Sequence, residues 1–210
     1  MFVHASPDAG AVDISLNDRK ELTSVNYPTN STWRSIPFIS EANGGYDVSV
    51  SPAGTTTDVA RIATTFNRDT STVAVVDGLV TPDPSDPQKS LDITTFTVNR
   101  IRPNGNKARL IIFHGFQRAA GLSTPAVLFR NPGENPLFTT GNVNPGTQTT
   151  LDIDSGTFTW NVRRADGEAI YVSATHTAAP GSVLLVLISG VENDPTNPAA
   201  IRFIDLQATD

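Results

Sequence analysis

Val73-Ala74-Val75-Val76-Asp77-Gly78 and Leu185-Val186-Leu187-Ile188-Ser189-Gly190 share one pattern, an apolar run closed by a polar residue and a glycine, at an offset of 112. Tyr46-Asp47-Val48-Ser49-Val50 matches Phe158-Thr159-Trp160-Asn161-Val162 at the same offset of 112. Asp83-Pro84-Ser85-Asp86-Pro87 matches Asp194-Pro195-Thr196-Asn197-Pro198 at 111, and Phe2-Val3-His4 matches Ile112-Phe113-His114 at 110. Collinear matches at nearly one offset read as a tandem duplication. Two domains are therefore expected, at 1–99 and 107–210. A short linker at 100–106 joins them, where Pro103, Asn104 and Gly105 interrupt strand-like flanks.

Each copy is expected to be all-β. Apolar alternation predicts half-buried strands at 1–5, 11–16, 32–39, 46–51, 58–66, 71–77 and 90–98. In the second copy it predicts 107–114, 124–130, 147–153, 157–163, 169–175, 182–189 and 200–207. Such runs of about seven short strands, separated by Gly, Pro and Asn turns, are the pattern of an Ig-like, Greek-key β-sandwich. Composition agrees: Thr numbers 26, Gly 15 and Pro 15, whereas the helix formers Lys and Glu number only 3 and 5. Val183 to Ile188 is apolar at every position, which predicts a central strand covered on both faces. With no cysteine, the sandwiches must hold by packing alone, without an inter-sheet disulfide. Three residues precede His4 where six (Ala108 to Phe113) precede His114 in the same strand, so the natural protein is expected to continue upstream of Met1.

Several function classes are disfavoured at this level. A net charge of −6 argues against a nucleic-acid binder, which needs a basic stripe. No apolar run reaches the ~18 residues of a membrane helix. Absent cysteines exclude a thiol enzyme and a Cys-ligated zinc site. The three histidines, His4, His114 and His176, have no metal-ligand spacing, so neither a metal nor a cofactor is expected.

The stretch His4-Ala5-Ser6-Pro7-Asp8-Ala9-Gly10-Ala11-Val12-Asp13-Ile14 resembles the H-A-S-P-D-A-x-A-V-D-V signature of the DUF4397 family. Tyr46 at a strand start and the Pro52-Ala53-Gly54 turn fit the same family pattern. The resemblance implies a secreted or cell-envelope bacterial protein, often built of tandem copies, with an upstream signal peptide or lipid anchor and no established activity. The second copy keeps His114 but replaces the Ser-Pro-Asp stretch, and Pro125-Ala126-Val127 stands where Asp13 would be.

Physically, Ser6-Pro7-Asp8 reads as a turn, in which Pro fixes φ and Ser or Asp accepts backbone N–H groups. His4 at a strand end and Asp13 on the next strand are placed to pair across it. One reading is a hydrogen-bonded loop; the other is a small ligand-binding site made of His4, Ser6, Asp8 and Asp13. No Gly-x-Ser-x-Gly elbow supports a hydrolase. The acidic loop Asp83–Pro87 reads as a proline-stiffened turn rather than a calcium loop. Arg100, Arg102, Lys107 and Arg109 are expected to pair with acids or stay solvated. Tyr27 and Trp33 are the aromatic pair best placed to stack on a sugar, with Trp160 expected in the core. The resulting expectation is a non-enzymatic interaction module contacting a protein or polysaccharide; a small-ligand receptor or hydrolase using the His4–Asp13 loop is the alternative.

Overall fold

A computed structural model of the chain describes residues 1–39, 45–82, 90–118, 127–130, 140–164 and 170–207. Among them are fourteen strands and no helix. The chain divides into two compact units, the first Met1–Asn99 and the second beginning at Arg100.

The first unit contains β1 (Phe2–His4), β2 (Val12–Leu16), β3 (Arg19–Val25), β4 (Tyr46–Pro52), β5 (Ala60–Thr64), β6 (Ser71–Asp77) and β7 (Asp92–Val98). They form two sheets, ordered β1-β6-β7 and β3-β2-β4-β5. Phe2, Ala74, Val76 and Ile93 of one sheet pack on Val12, Ile14, Val48 and Val50 of the other. This is a β-sandwich, made because alternate residues of each strand share one face.

The second unit contains β8 (Lys107–His114), β9 (Val127–Arg130), β10 (Gln148–Asp154), β11 (Gly156–Arg164), β12 (Ile170–Ala178), β13 (Val183–Ser189) and β14 (Ala200–Asp205). Its sheets run β10-β8-β13-β14 and β12-β11-β9. Leu110, Ile112, Val186 and Ile188 pack on Trp160 and Val162 across that core.

The two units share strand registers. In the first, His4 lies opposite Val76 in a parallel β1–β6 pair; in the second, His114 lies opposite Ile188 in a parallel β8–β13 pair. Val48 pairs with Ile62 as Trp160 pairs with Ala174, both partners being shifted by the offset of the sequence repeat. β13 lies between β8 and β14 and is buried at all seven positions, as its unbroken apolar run predicts. Just beyond it, Gly190 has φ +98°, and a Cβ there would lie 2.2 Å from the Pro198 carbonyl oxygen, so only glycine fits.

Two strand assignments differ from the sequence reading. Residues 32–39 form no strand; Pro37 supplies no N–H for a ladder there. Instead Asn30 bridges to Val3, and His4 N donates to Thr29 O at 2.8 Å. Segment 29–31 therefore flanks β1 much as β10 flanks β8. The missed strand is β3, Arg19–Val25, whose charged start hides it from a search for apolar alternation. Its cause is local: Asn17 (φ 49°) and Asp18 (φ 62°) form a two-residue turn with both φ positive, and Leu16 faces Arg19 across it. That is the type I′ hairpin geometry, which Asn and Asp tolerate better than most residues.

Trp160 is fully buried in the second core, whereas Trp33 is half-buried. Trp160→Ala is expected to lower unfolding stability by about 3–5 kcal/mol, and Trp33→Ala by clearly less. Chemical denaturation of both variants checks this, and equal losses would contradict the packing described.

Candidate functional site

Parallel pairing of β1 with β6 brings the exits of both strands to the same end of the sheet. Ala5 N continues the ladder by donating to Val76 O at 2.8 Å. Beyond it, the carboxylate of Asp8 ties the two exit loops together. Its Oδ1 accepts Val80 N at 2.9 Å, and its Oδ2 accepts Thr81 N at 3.1 Å and Thr81 Oγ1 at 2.9 Å. Ser6 Oγ donates to Asp8 Oδ1 at 3.3 Å.

His4 is buried, with its Nε2 2.8 Å from Gly10 O. A carbonyl oxygen only accepts, so Nε2 carries the proton and Nδ1 is the bare nitrogen. Nδ1 is buried without a hydrogen-bond partner among the described residues. Burial pulls the His4 pKa down, keeping the ring neutral, and the bond to Gly10 opposes this only in part. The Tyr27 ring stands edge-on to His4, with centroids 6.0 Å apart.

Asp13 is buried on β2, where the β2–β3 register slips on both sides of Ile14. Its Oδ2 accepts Lys20 Nζ at 2.6 Å and Gly54 N at 3.1 Å. Its Oδ1 accepts Ser24 N at 2.9 Å. Ser24 has φ +52°, so its N–H turns away from the ladder and is collected by this carboxylate. The Lys20 hydrogen bond, aided by the Ser24 and Gly54 N–H groups, holds the Asp13 pKa down at about 2.

The sequence candidates therefore separate into two groups. Ser6 and Asp8 meet, with His4 bracing the same loop through Gly10. Asp13 stitches β2 to β3 and to the Gly54 turn, and the expected His4–Asp13 pairing is replaced by these separate bonds. Tyr27 and Trp33 are both half-buried, and Tyr27 packs on His4. Among the described residues no three His, Asp or Glu side chains are grouped to hold a metal. Asp83–Pro87 lies outside the described residues. In its counterpart, Asp194 Oδ1 accepts Thr196 N at 2.7 Å and Asn197 N at 3.2 Å, a carboxylate-capped turn. Of the cations expected to pair with acids, Arg109 forks onto Asp152 at 2.8 and 2.9 Å and Lys107 pairs with Asp154 at 2.8 Å, all within the second unit.

The second unit has its own loop tie. Arg118 follows Asp8 at the same offset by which His114 follows His4. Its Nε donates to Glu192 Oε2 at 2.7 Å, and Glu192 is the counterpart of Val80 at the offset of the strand repeats. A carboxylate-to-backbone clamp in one unit corresponds to an ion pair in the other. Register also refines the counterpart of Asp13. Asp13 faces Ser51, and Arg163, the counterpart of Ser51, faces Leu128. Leu128, rather than 125–127, holds that place, again with no carboxylate.

Asp77 is a buried acid that reads in the sequence only as the polar end of an apolar run. It faces Asp92 across β6–β7. One of its oxygens, Oδ1, is buried without a hydrogen-bond partner among the described residues. Burial, with the Asp92 charge adding to it, pushes its pKa up to about 7, and a Thr94 hydrogen bond pulls the other way. Strand alternation puts its side chain on the sheet face opposite to that of Val76, so it lies apart from the core side of the sheet.

The model of a domain of unknown function, DUF4397, matches residues 1–123. The chain belongs to the DUF4397 family. The DUF4397 match spans the whole first unit and extends past β8. No curated protein matches the chain. Among solved structures, a Bacteroides ovatus ATCC 8483 protein proposed for cell adhesion aligns over 100% of this chain and 98% of its own, with 9% identity and a TM-score of 0.24. That likeness is too remote to bear on fold or role.

Asp13 and Asp77 should give opposite pH signatures. The depressed Asp13 pKa means that its contribution is complete above the ordinary carboxylate value and fades as pH falls towards 2. Asp13→Asn is thus expected to cost roughly 2 kcal/mol at neutral pH, a difference from wild type that shrinks in acid. The raised Asp77 pKa favours folding below the ordinary value, and this benefit is lost as pH rises through about 7. Asp77→Asn should therefore gain stability relative to wild type between pH 4 and 8. Unfolding midpoints measured from pH 2 to 8 check both, and profiles parallel to wild type for Asp13→Asn below pH 4 or for Asp77→Asn above it would contradict the assignments.

Proposed function

We propose that this DUF4397 protein is a non-enzymatic interaction module of the cell envelope or extracellular space. In this reading it is a tandem duplication, with domains at 1–99 and 107–210 joined through 100–106, and its loops or sheet faces contact a protein or polysaccharide partner. One observation carries it: the polar groups of the His4–Ile14 stretch are spent on the protein's own backbone. Asp8 holds Val80 and Thr81, Asp13 holds Ser24 and Gly54, and His4 holds Gly10. Such bonds make a rigid loop platform, the usual setting for a binding surface on a β scaffold. Among the described residues no helix is long and apolar enough to cross a membrane.

The hydrolase alternative needs a base on its nucleophile. Ser6 Oγ donates to Asp8 rather than to His4, and the bare Nδ1 of His4 is buried. The four residues form no relay that would pass a proton from hydroxyl to imidazole. The tests are direct. Ester, amide and glycoside substrates should be turned over no faster by the wild type than by His4→Ala, and an activity lost in both His4→Ala and Ser6→Ala would overturn the reading. Saturable binding to envelope fractions should be removed either by protease or by periodate treatment, which separates a protein partner from a glycan. Absence of saturable binding to either would sink the interaction role.

A further inference from the structure

At the end of the first sandwich away from the His4 loop, a cleft of about 300 Å³ opens beside the Asn17–Asp18 turn. Its floor is the end of the core, where Phe2, Leu16 and Tyr46 are buried. Its wall is the strand-free segment carrying Ile36, Pro37 and Ile39. Tyr46 fastens that wall: its hydroxyl donates to Pro37 O at 2.6 Å. The cavity is therefore a built feature, with one side made of sheet and the other pinned to it by a hydrogen bond.

The rim carries Arg19, Glu21 and Arg34, two guanidinium groups against one carboxylate. Glu21 is largely committed to Arg19, accepting its Nε at 2.8 Å with Nη2 at 2.5 Å from the same oxygen. Arg34 has one charged contact among the described residues, a 3.5 Å approach of Nη1 to Glu21 Oε2. An arginine presents five N–H donors in a planar fork suited to a carboxylate. Most of the Arg34 fork is thus available at the mouth of an apolar cavity.

We propose that this cleft binds a small amphipathic carboxylate, with its apolar body on Phe2, Leu16 and Ile36 and its head group on Arg34. Net positive charge at the rim selects an anion, and the planar fork favours a carboxylate that can take two parallel hydrogen bonds. Size selects a compact body. The volume stands at the lower end of ligand cavities. A single aromatic ring or a short acyl chain fits this volume, whereas a sterol or long acyl chain exceeds it. The site is new relative to the His4 loop, from which β2 separates it: Asp13 lies at one end of that strand and Leu16 at the other.

The experiment uses the full chain, with sodium octanoate as probe and octanol as its uncharged counterpart, followed by calorimetric titration. Octanoate is expected to bind saturably and at least tenfold more tightly than octanol. Arg34→Gln should abolish that preference while leaving octanol binding in place, and Glu21→Gln, which removes the competing carboxylate, should tighten octanoate. Ile36→Ser should weaken both probes. Backbone amide NMR shifts on the unmodified chain give a reading independent of any variant, with perturbations expected at 34–39 and 16–21. Equal affinity for the two probes, unchanged octanoate binding in Arg34→Gln, or shifts centred elsewhere would each overturn the proposal, as would the absence of saturable octanoate binding.

Discussion

Parallel pairing of the first strand of each unit with its penultimate strand is the constraint on which the loop architecture depends. An antiparallel neighbour would send its exit loop to the opposite end of the sheet. Parallel neighbours send both exits the same way, so the chain leaving β1 must run beside the chain leaving β6, and likewise for β8 and β13. Two irregular segments lying side by side bring many backbone N–H groups outside any regular ladder, and partners must come from side chains or from the facing backbone. Asp8 meets that need in the first unit by accepting Val80 N and Thr81 N. In the second, Gln117 N donates to Gly190 O at 2.9 Å and Glu192 N to Gln117 O at 2.9 Å, so backbone satisfies backbone. There the side chains at the equivalent positions are released to form the Arg118–Glu192 ion pair.

The same reasoning supports the non-enzymatic reading of the His-Ser-Asp-Asp set near a strand end. A catalytic carboxylate must leave an oxygen for its histidine, and a catalytic histidine must reach its nucleophile. Asp13 has both oxygens engaged, one with Lys20 and Gly54 and the other with Ser24. Its depressed pKa follows from these donors, not from a partner awaiting a proton. Asp77 shows the contrasting case: it is buried, the like charge of Asp92 stands opposite, and its pKa rises instead. Two carboxylates in one sandwich are thus pushed in opposite directions, Asp13 by the donors it receives and Asp77 by burial beside a like charge.

Much of the fold is legible because its central strands write their environment into the residue order. Val183–Ser189 is apolar throughout except at its last position, and it is buried throughout; Tyr46–Val50 alternates, and its apolar members face the core. Edge strands are less legible, since charged edges guard against unwanted pairing and so blur alternation. That is why Arg19–Val25 is hidden while 32–39, with its scattered Trp33, Ile36 and Phe38, imitates a strand. At the site, the turn-forming role of Ser6-Pro7-Asp8 can be read from residue type. The partners of Asp8 lie far along the chain, at the backbone atoms of Val80 and Thr81 that every residue type shares, and no sequence pattern names them. Asp13 is visible as an acid on a strand, but its partner Ser24 lies in the strand that alternation misses.

Comparison of the two units separates what the shared topology requires from what is particular to one unit. Both keep the parallel pair, the buried histidine opposite its apolar partner, and a turn before the flanking segment: Thr29 Oγ1 donates to Asn26 O, as Thr147 Oγ1 does to Asn144 O. A feature present twice in different side chains, such as the tie between exit loops, answers a need of the topology. The register places Leu128 where Asp13 stands, so among the described residues its stitch of β2 to a bulged β3 is found in the first unit. The cleft depends on that same β2–β3 hairpin, since Arg19 and Glu21 sit on β3 and their orientation follows from the Asn17–Asp18 turn. Asp13 at the far end of the hairpin and the turn at the near end together fix where β3 lies. The carboxylate read from the sequence as a ligand-binding candidate therefore holds in place the strand that carries the charged rim of the cleft.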